Sequence, residues 1–150
     1  MSTVYVGVDP GASGGIAVLW PNGPEAHKMP ATEADLLCLM HDIAIRVAEE
    51  RMGITGALEK VHSMPGQGVS SSFKFGMGYG GLRMAMLAAN IPFRDVQPQA
   101  WQRSLGCLTG GDKNISKAMA QQLFPSVKIT HAIADALLIA EWLRRMEVKK

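Results

Sequence analysis

Short apolar runs separated by glycine- and proline-rich turns open this chain and predict β-strands. Residues 4–9 are apolar at nearly every position, which is typical of a central strand buried on both faces. Residues 15–20 and a short segment around residues 26–29 follow after turns, so the three strands are expected to form a meander. Two later apolar segments, residues 54–59 and 92–96, predict a fourth and a fifth strand.

Helical spacing of apolar residues predicts five helices. The first begins after Thr32, a good N-cap residue with Asp35 at the third helical position, and continues to about Val47. A loop rich in glycine, proline and serine is expected over residues 64–72. The remaining helices are predicted over residues 73–90, 98–105, 114–124 and 130–146.

The resulting order of elements is β-β-β-α-β-α-β-α-α-α. A meander followed by a helical crossover to a fourth strand gives a mixed sheet, and the crossover is expected to be right-handed. No internal repeat or linker interrupts the chain, so residues 1–150 are predicted to form a single domain. The order suits the α/β class and the RNase H-like fold, with a five-stranded mixed sheet flanked by helices.

Composition and charge narrow the class of protein without deciding it. Hydrophobic residues make up 47% and charged residues 19% of the chain. No apolar run is long enough for a membrane span and no signal peptide is evident, so a globular cytoplasmic protein is expected. Cys38 and Cys107 lack metal-ligand spacing, and Cys38 is predicted to be a buried free thiol. The net charge of +2 is compatible with a nucleic-acid partner but does not require one.

Acidic residues end two of the predicted strands and interrupt the last helix. Asp9 ends the first strand and Glu59 the fourth, so parallel pairing of these strands would bring both to one edge of the sheet. Asp135 lies among apolar neighbours, where an unpaired charge is costly to bury, and His131 shares its face one turn earlier. Such a cluster resists ionisation unless a cation joins it, and oxygen-rich ligands favour Mg²⁺ or Mn²⁺. Two such ions about 3.5–4 Å apart can cleave a phosphodiester.

Each of these residues also has a purely structural interpretation. Asp9 precedes Pro-Gly and is a turn former, and Glu59 is a candidate for a solvated strand end. Asp135 is a candidate for a structural ion pair, and His131 for a cap of the last helix. The occurrence of all four in one pattern favours the metal site.

At these residues the chain resembles the RuvC-type Holliday junction resolvases, in particular the compact versions of phages and some bacteria. The resemblance runs in order along nearly the whole chain, and the ordered set is far more specific than its DPG turn alone. The stretches that carry it are GVDPG at 7–11 with Ser13-Gly14 behind it, ALE at 57–59, PGQGVS at 65–70, PQAW at 98–101, SKA at 116–118 and HAIADAL at 131–137.

The resemblance implies an RNase H-like homodimer that nicks four-way DNA junctions symmetrically, with two Mg²⁺ or Mn²⁺ ions per active site. It implies that Asp9, Glu59 and Asp135 are metal ligands with catalytic roles. His131 stands where the family places a further acidic or histidine ligand. Many relatives have two acidic residues in this helix, so the histidine is a departure from the family pattern.

Several basic residues are candidates for contacts with DNA. Lys117 matches a basic residue that the family uses near the scissile phosphate, and is therefore predicted to be catalytic and to bind DNA. Gln102 stands where relatives often have lysine, and Arg103 is expected to substitute for it. Lys113 lies one turn before Lys117, where a phosphate contact and a solvated helix face are both open interpretations.

The segment after Glu59 and the helix behind it have candidate roles in junction binding and assembly. The composition of the loop over residues 63–72 is typical of a flexible segment. Phe73 or Phe75, just after it, is a candidate for stacking on a DNA base. The alternative is that both rings belong to the hydrophobic core. Gly76 and Gly80 lie on one face of the following helix. Because each interior glycine costs about 1 kcal/mol relative to alanine, close approach of another backbone is expected. Packing on the chain's own sheet and a two-fold dimer contact are the alternatives, and the resemblance favours the dimer.

Three other functions remain open at this point. A catalytically silent junction-binding module requires a lost carboxylate, and none of the three is missing. An actin-like or sugar-kinase nucleotide site would account for DPGASGG at 9–15, but those proteins have two such domains and much longer chains. A related nuclease acting on flaps, forks or RNA–DNA hybrids would use the same residues, and cleavage of a panel of branched and linear DNAs distinguishes it from a resolvase.

Overall fold

A computed structural model describes every residue of the chain, from Met1 to Lys150. It contains five strands and five helices in the expected order. The strands are β1 (Thr3–Asp9), β2 (Gly15–Trp20), β3 (Gly23–Lys28), β4 (Gly53–Glu59) and β5 (Phe93–Val96). The helices are α1 (Glu33–Glu49), α2 (Val69–Ala88), α3 (Pro98–Leu105), α4 (Lys113–Leu123) and α5 (His131–Val148).

The five strands form one mixed sheet in the order β3-β2-β1-β4-β5. The first three strands pair antiparallel as a meander, whereas β4 pairs parallel to β1 and β5 pairs parallel to β4. Parallel neighbours need a long crossover, and α1 and α2 supply the two crossovers of this sheet. The predicted α/β architecture, with a central first strand and a five-stranded mixed sheet, is confirmed.

Helices cover both faces of the sheet and make two separate cores. Along β1 the alternate residues Val4, Val6 and Val8 are fully buried against α1 and α2. The opposite face is covered by α3, α4 and α5, and its core includes Ala17, Ala57 and a continuous run of α5. A two-sided core explains why β1 and β2 are apolar throughout.

Two strand glycines allow α5 to lie directly on the sheet. A side chain on Gly7 would collide with the backbone of Ala136 and Ala140. A side chain on Gly15 would likewise meet the carbonyl group of Ala132. The backbone of α5 is therefore in contact with the backbone of β1 and β2, which fixes the height of this helix over the sheet.

Three details of the expected local structure are wrong. Strand β3 begins at Gly23 rather than near residue 26, because Gly23 adopts a positive φ that permits a tight turn after Trp20. The loop expected over residues 64–72 is shorter, because α2 begins at Val69 after Gly68 as its N-cap. Cys38 is exposed rather than buried, because α1 turns its other face, which includes Leu36 and Met40, to the core.

The length and hydropathy of the five helices can be compared with those of a membrane span. None of them combines the length and the apolar character that a membrane span requires.

Candidate active site

Asp9 and Glu59 end neighbouring parallel strands and lie on the same face of the sheet. The register pairs Val8 with Leu58, so the next residue of each strand stands beside the other. Val8 and Leu58 point into the core under α1 and α2, and side chains alternate along a strand. Asp9 and Glu59 therefore point to the opposite face, which α5 covers.

Asp135 reaches the same place from α5. It precedes Ala136, whose backbone touches Gly7 of β1, so the contact between helix and strand brings Asp135 toward the carboxyl end of β1. A small cavity of about 70 Å³ separates Asp9 from Asp135. The cavity is lined by Asp9, Ser13, Lys113, Ser116, His131, Ala134 and Asp135.

The charge of Asp9 is strongly disfavoured in this place. Burial raises its pKa from 3.8 to about 8, and the carboxylates of Glu59 and Asp135 add to the rise. The ammonium group of Lys113 acts in the opposite direction. A simple turn residue would face water, so the purely structural interpretation of Asp9 does not account for its burial.

Glu59 is also largely buried and is held by one strong hydrogen bond. Burial raises its pKa from 4.5 to about 6, the indole of Trp101 lowers it, and Asp135 raises it. Trp101 Nε1 donates to Glu59 Oε2 at 2.7 Å. The interpretation of Glu59 as a solvated strand end is therefore wrong.

Asp135 has polar neighbours but no salt bridge. Burial raises its pKa, whereas the Ser116 hydroxyl, Lys113 and His131 lower it. Because no salt bridge is present, the alternative of a structural ion pair is not supported. Glu59 and Asp135 raise the pKa of Asp9, and Asp135 raises the pKa of Glu59, which is the kind of repulsion that a bound cation relieves.

His131 and Lys113 lie at the rim of the cavity. His131 is the first residue of α5 and is exposed, and the N-cap of this helix is Thr130. The alternative of His131 as the helix cap is therefore not supported. Lys113 is the first residue of α4 and lines the cavity, whereas Lys117 stands one turn further along, half-buried and outside the cavity lining.

The donor atoms fit a hard divalent cation in their chemistry. Asp9, Glu59 and Asp135 offer carboxylate oxygens, which Mg²⁺ and Mn²⁺ prefer, and no cysteine competes in the cavity lining. No three His, Cys, Asp or Glu side chains stand close enough together to hold a metal ion as they are. The donor set therefore fits such a cation by its chemistry rather than by a closed ligand cluster.

Comparison with known proteins finds similarity in structure rather than in sequence. No protein-family model and no curated protein sequence matches the chain. The solved structure of Thermus thermophilus RuvC aligns with a TM-score of 0.63 at 20% identity over 96% of both chains. The chain has the RuvC fold. A second structure, T. thermophilus RuvC in complex with Holliday junction substrate, aligns with a TM-score of 0.61 at 19% identity over 96% of both chains.

A eukaryotic structure extends the RuvC fold comparison. The yeast mitochondrial Holliday junction resolvase Ydc2 aligns with a TM-score of 0.51 at 14% identity. The alignment covers 97% of this chain and 79% of that one. The RNase H-like fold predicted from the order of elements is confirmed by these alignments.

The aromatic residues near the start of α2 are divided between surface and groove. Phe73 is 70% exposed, so its assignment to the core is wrong. Phe75 is half-buried, and its ring lies against Gly11 in the turn after Asp9. A cavity of about 410 Å³ beside this ring separates α2 from the segment that precedes α1.

The sequence did not predict two residues that contact the acidic cluster, Trp101 and Ser116. Trp101 was noted only as part of a motif, and Ser116 only as a neighbour of Lys117, yet both interact with the acidic cluster. The signal that was available for Trp101 is its indole N–H, which usually finds a hydrogen-bond partner when the ring is buried. Arg103 is exposed in the last turn of α3 and lies outside the cavity lining.

Proposed function

We propose that this protein is a Holliday junction resolvase, an endonuclease that nicks four-way DNA junctions by metal-dependent hydrolysis of phosphodiesters. The observation that carries the proposal is the convergence of Asp9, Glu59 and Asp135, all desolvated, at one end of a sheet with the RuvC fold. One RuvC structure with this fold is bound to a Holliday junction substrate, which supports branched DNA as the substrate class.

The three carboxylates are the proposed metal ligands, with His131 as a further ligand or proton acceptor. When bound, Mg²⁺ or Mn²⁺, as two ions, would neutralise the cluster, activate water and stabilise the leaving oxygen. Asp9 and Glu59 lie on rigid strands and Asp135 on a packed helix, so the chain holds its donors on fixed elements. The proposed compartment is the cytoplasm of a bacterial or phage-infected cell.

Basic and aromatic residues around the cavity are the proposed contacts with DNA. Lys113 stands beside Asp9 and Asp135, so we assign it the phosphate nearest the cleaved bond. Lys117, one turn further along α4, stays a proposed catalytic residue and DNA contact, and Arg103 stays a proposed contact to a phosphate. Phe73 is exposed on the first turns of α2 and is the proposed stacking residue, whereas Phe75 is tied to Gly11.

A homodimer formed through α2 is the proposed assembly. Gly76 and Gly80 lie on one face of this helix, and a side chain on either would meet nothing within 4 Å beyond its own helical turn, so packing on the sheet does not explain them. The same helix exposes large apolar residues, which a monomer has little reason to carry in one stripe. These residues are Val69, Phe73, Met77, Met84 and Leu87.

The test of the proposed function is cleavage of a panel of labelled DNAs at matched salt. Four-way junctions, flaps, forks and linear duplexes are each incubated with Mg²⁺ or Mn²⁺. We expect paired nicks at opposed strands of the four-way junction, and loss of nicking without loss of junction binding in Asp9→Asn, Glu59→Gln and Asp135→Asn. Preferential cleavage of flaps or forks would support a related branched-DNA nuclease instead, and binding without any cleavage would support a silent junction-binding module.

A further inference from the structure

Trp101 joins the hydrophobic core to the acidic cluster. Its side chain is completely buried in the core formed by α3, α4 and α5. Only one polar atom belongs to this ring, the indole Nε1, and it donates to Glu59 Oε2 at 2.7 Å. The residues are 42 positions apart, so the contact is a product of the fold rather than of local sequence.

The hydrogen bond has a definite effect on the carboxylate. An indole N–H donates only and does not change its protonation near neutral pH. It therefore restrains one oxygen of Glu59 and leaves the other free of this partner. Because the ring is locked by packing on all sides, the donor is fixed in position before any ligand arrives.

We propose that Trp101 is a positioning residue that orients Glu59 for metal binding. The inference rests on the proposed function, since it gives Glu59 the role of a metal ligand. When a residue that hydrogen-bonds to a metal-coordinating side chain is altered, metal affinity or activity commonly falls by about 10–100-fold. A tryptophan that served only as core volume would need no acidic partner, and a phenylalanine would then replace it with little effect on metal binding.

The chain offers a matched control in Trp142. This tryptophan is buried in the same core on α5, and its indole makes no hydrogen bond to an acidic side chain. Trp101→Phe and Trp142→Phe therefore remove similar core volume, but only the first removes the contact with Glu59. A difference between the two variants isolates the hydrogen bond from the general loss of packing.

The first experiment measures binding of Mn²⁺ alone, from the electron paramagnetic resonance signal of the free ion. We expect Trp101→Phe to weaken Mn²⁺ binding by about tenfold and Trp142→Phe to change it less than about twofold. In the Glu59→Gln background, Trp101→Phe should add no further loss. Equal Mn²⁺ affinity of Trp101→Phe and wild type, or equal losses in the two tryptophan variants, overturns the proposal.

A second measurement on the wild-type chain covers the case in which Trp101→Phe does not fold. The three indole N–H signals are recorded by ¹H–¹⁵N NMR and assigned with Trp20→Phe and Trp142→Phe. Addition of Mg²⁺ alone should shift the Trp101 signal more than the other two, and this shift should be absent in Glu59→Gln. An unmoved Trp101 signal at saturating Mg²⁺ overturns the proposal.

Junction cleavage separates failure of this inference from failure of the proposed function. If the wild type cleaves no branched DNA but Trp101→Phe still weakens Mn²⁺ binding, the resolvase assignment is wrong and the positioning role stands. If the wild type cleaves junctions and Trp101→Phe binds Mn²⁺ normally, the positioning role is wrong and the resolvase assignment stands. If the resolvase assignment and the positioning role are both correct, Trp101→Phe should cleave junctions with a lower single-turnover rate and bind them with unchanged affinity.

Discussion

Asp9 shows how the charge of one residue can act against the stability of the fold that carries it. Its pKa is about 8 in the folded protein, against 3.8 for the ordinary group. Between about pH 4 and pH 8 the folded protein therefore keeps a proton that the unfolded chain has released. The free energy of unfolding falls as the pH rises across this window, because the unfolded state binds fewer protons.

Asp9→Asn should remove this pH dependence. Without divalent cations, we expect the variant to exceed the wild type in free energy of unfolding by about 1–3 kcal/mol at pH 8 and by less at pH 5. Denaturant unfolding at both pH values measures the difference. Asp42→Asn, at an exposed position of α1, is the control and should leave both values unchanged. A wild type and an Asp9→Asn variant of equal stability at pH 8 would contradict the burial of this charge.

His131 poses a separate question at the residue scale, namely whether it serves catalysis or folding. It is exposed at the first position of α5 and lines the cavity with Asp9 and Asp135. We expect His131→Ala to lower the single-turnover cleavage rate at least about tenfold, within the usual range for a proton-transfer residue. Thermal unfolding should change little, as in His41→Ala on the exposed side of α1. Loss of stability with normal specific activity would indicate a structural role.

The acidic residues could be predicted from sequence, whereas their partners could not. Asp9 and Glu59 end apolar strands, so the sheet itself brings them to one edge, and Asp135 is conspicuous among apolar neighbours. The partnership of Trp101 with Glu59 depends on how α3 docks, which no local pattern encodes. Lys113 and Lys117 lie one turn apart on the same face of α4, so the position of the helix start relative to the cavity decides which of them lines it.

At the scale of elements, the contact between α5 and the sheet determines the geometry of the site. The sequence predicts both elements but not their spacing, because a strand glycine is compatible with a bulge, a bend or the close approach of another backbone. Gly7 instead removes the layer of side chains that would separate β1 from α5. The long run of buried residues in α5 follows from the position of this helix between the sheet and the helices α3 and α4.

Gly7→Ala should test this contact directly. The new methyl group would overlap the backbone of Ala136 and Ala140, which cannot rotate away as a side chain can. We expect a loss of about 2–3 kcal/mol in the free energy of unfolding, measured by denaturant titration, and a larger relative loss of cleavage than of junction binding. Gly53→Ala in β4 is the control, because its new methyl group would lie 3.4 Å from the side-chain oxygen of Thr3, which is an ordinary contact. Equal losses in both variants would argue against a close backbone approach.

At the scale of the whole molecule, the proposed resolvase activity needs two active sites, one for each of two opposed strands. A four-way junction has two-fold symmetry, and a symmetric dimer presents one site to each of two strands. The sequence predicted the glycine-lined helix as the contact. In the structure Gly76 and Gly80 have open space where a side chain would be, so packing within the chain does not explain them.

Gly80→Leu should disturb this assembly. The bulky side chain would project from the open side of α2 and hold a second helix away, so we expect monomers of about half the wild-type mass by light scattering at micromolar concentration. Such a protein should still nick one strand but lose paired incision. Ala48→Leu on the exposed side of α1 adds similar bulk elsewhere and should stay dimeric. A wild type of 16.1 kDa in solution, with and without junction DNA, would contradict the dimer.

The glycines of α2 also have a consequence for hydrogen exchange. Gly76, Gly78, Gly80 and Gly81 each cost this helix about 1 kcal/mol relative to alanine, and each has open space where a side chain would be. Local opening of α2 in a lone subunit should therefore need less free energy than global unfolding. Backbone amides of residues 73–81 should exchange quickly in dilute protein and slowly at high concentration, whereas those of α5 should exchange slowly at both. The same helix would then report, through its own protection, how much of the protein is assembled.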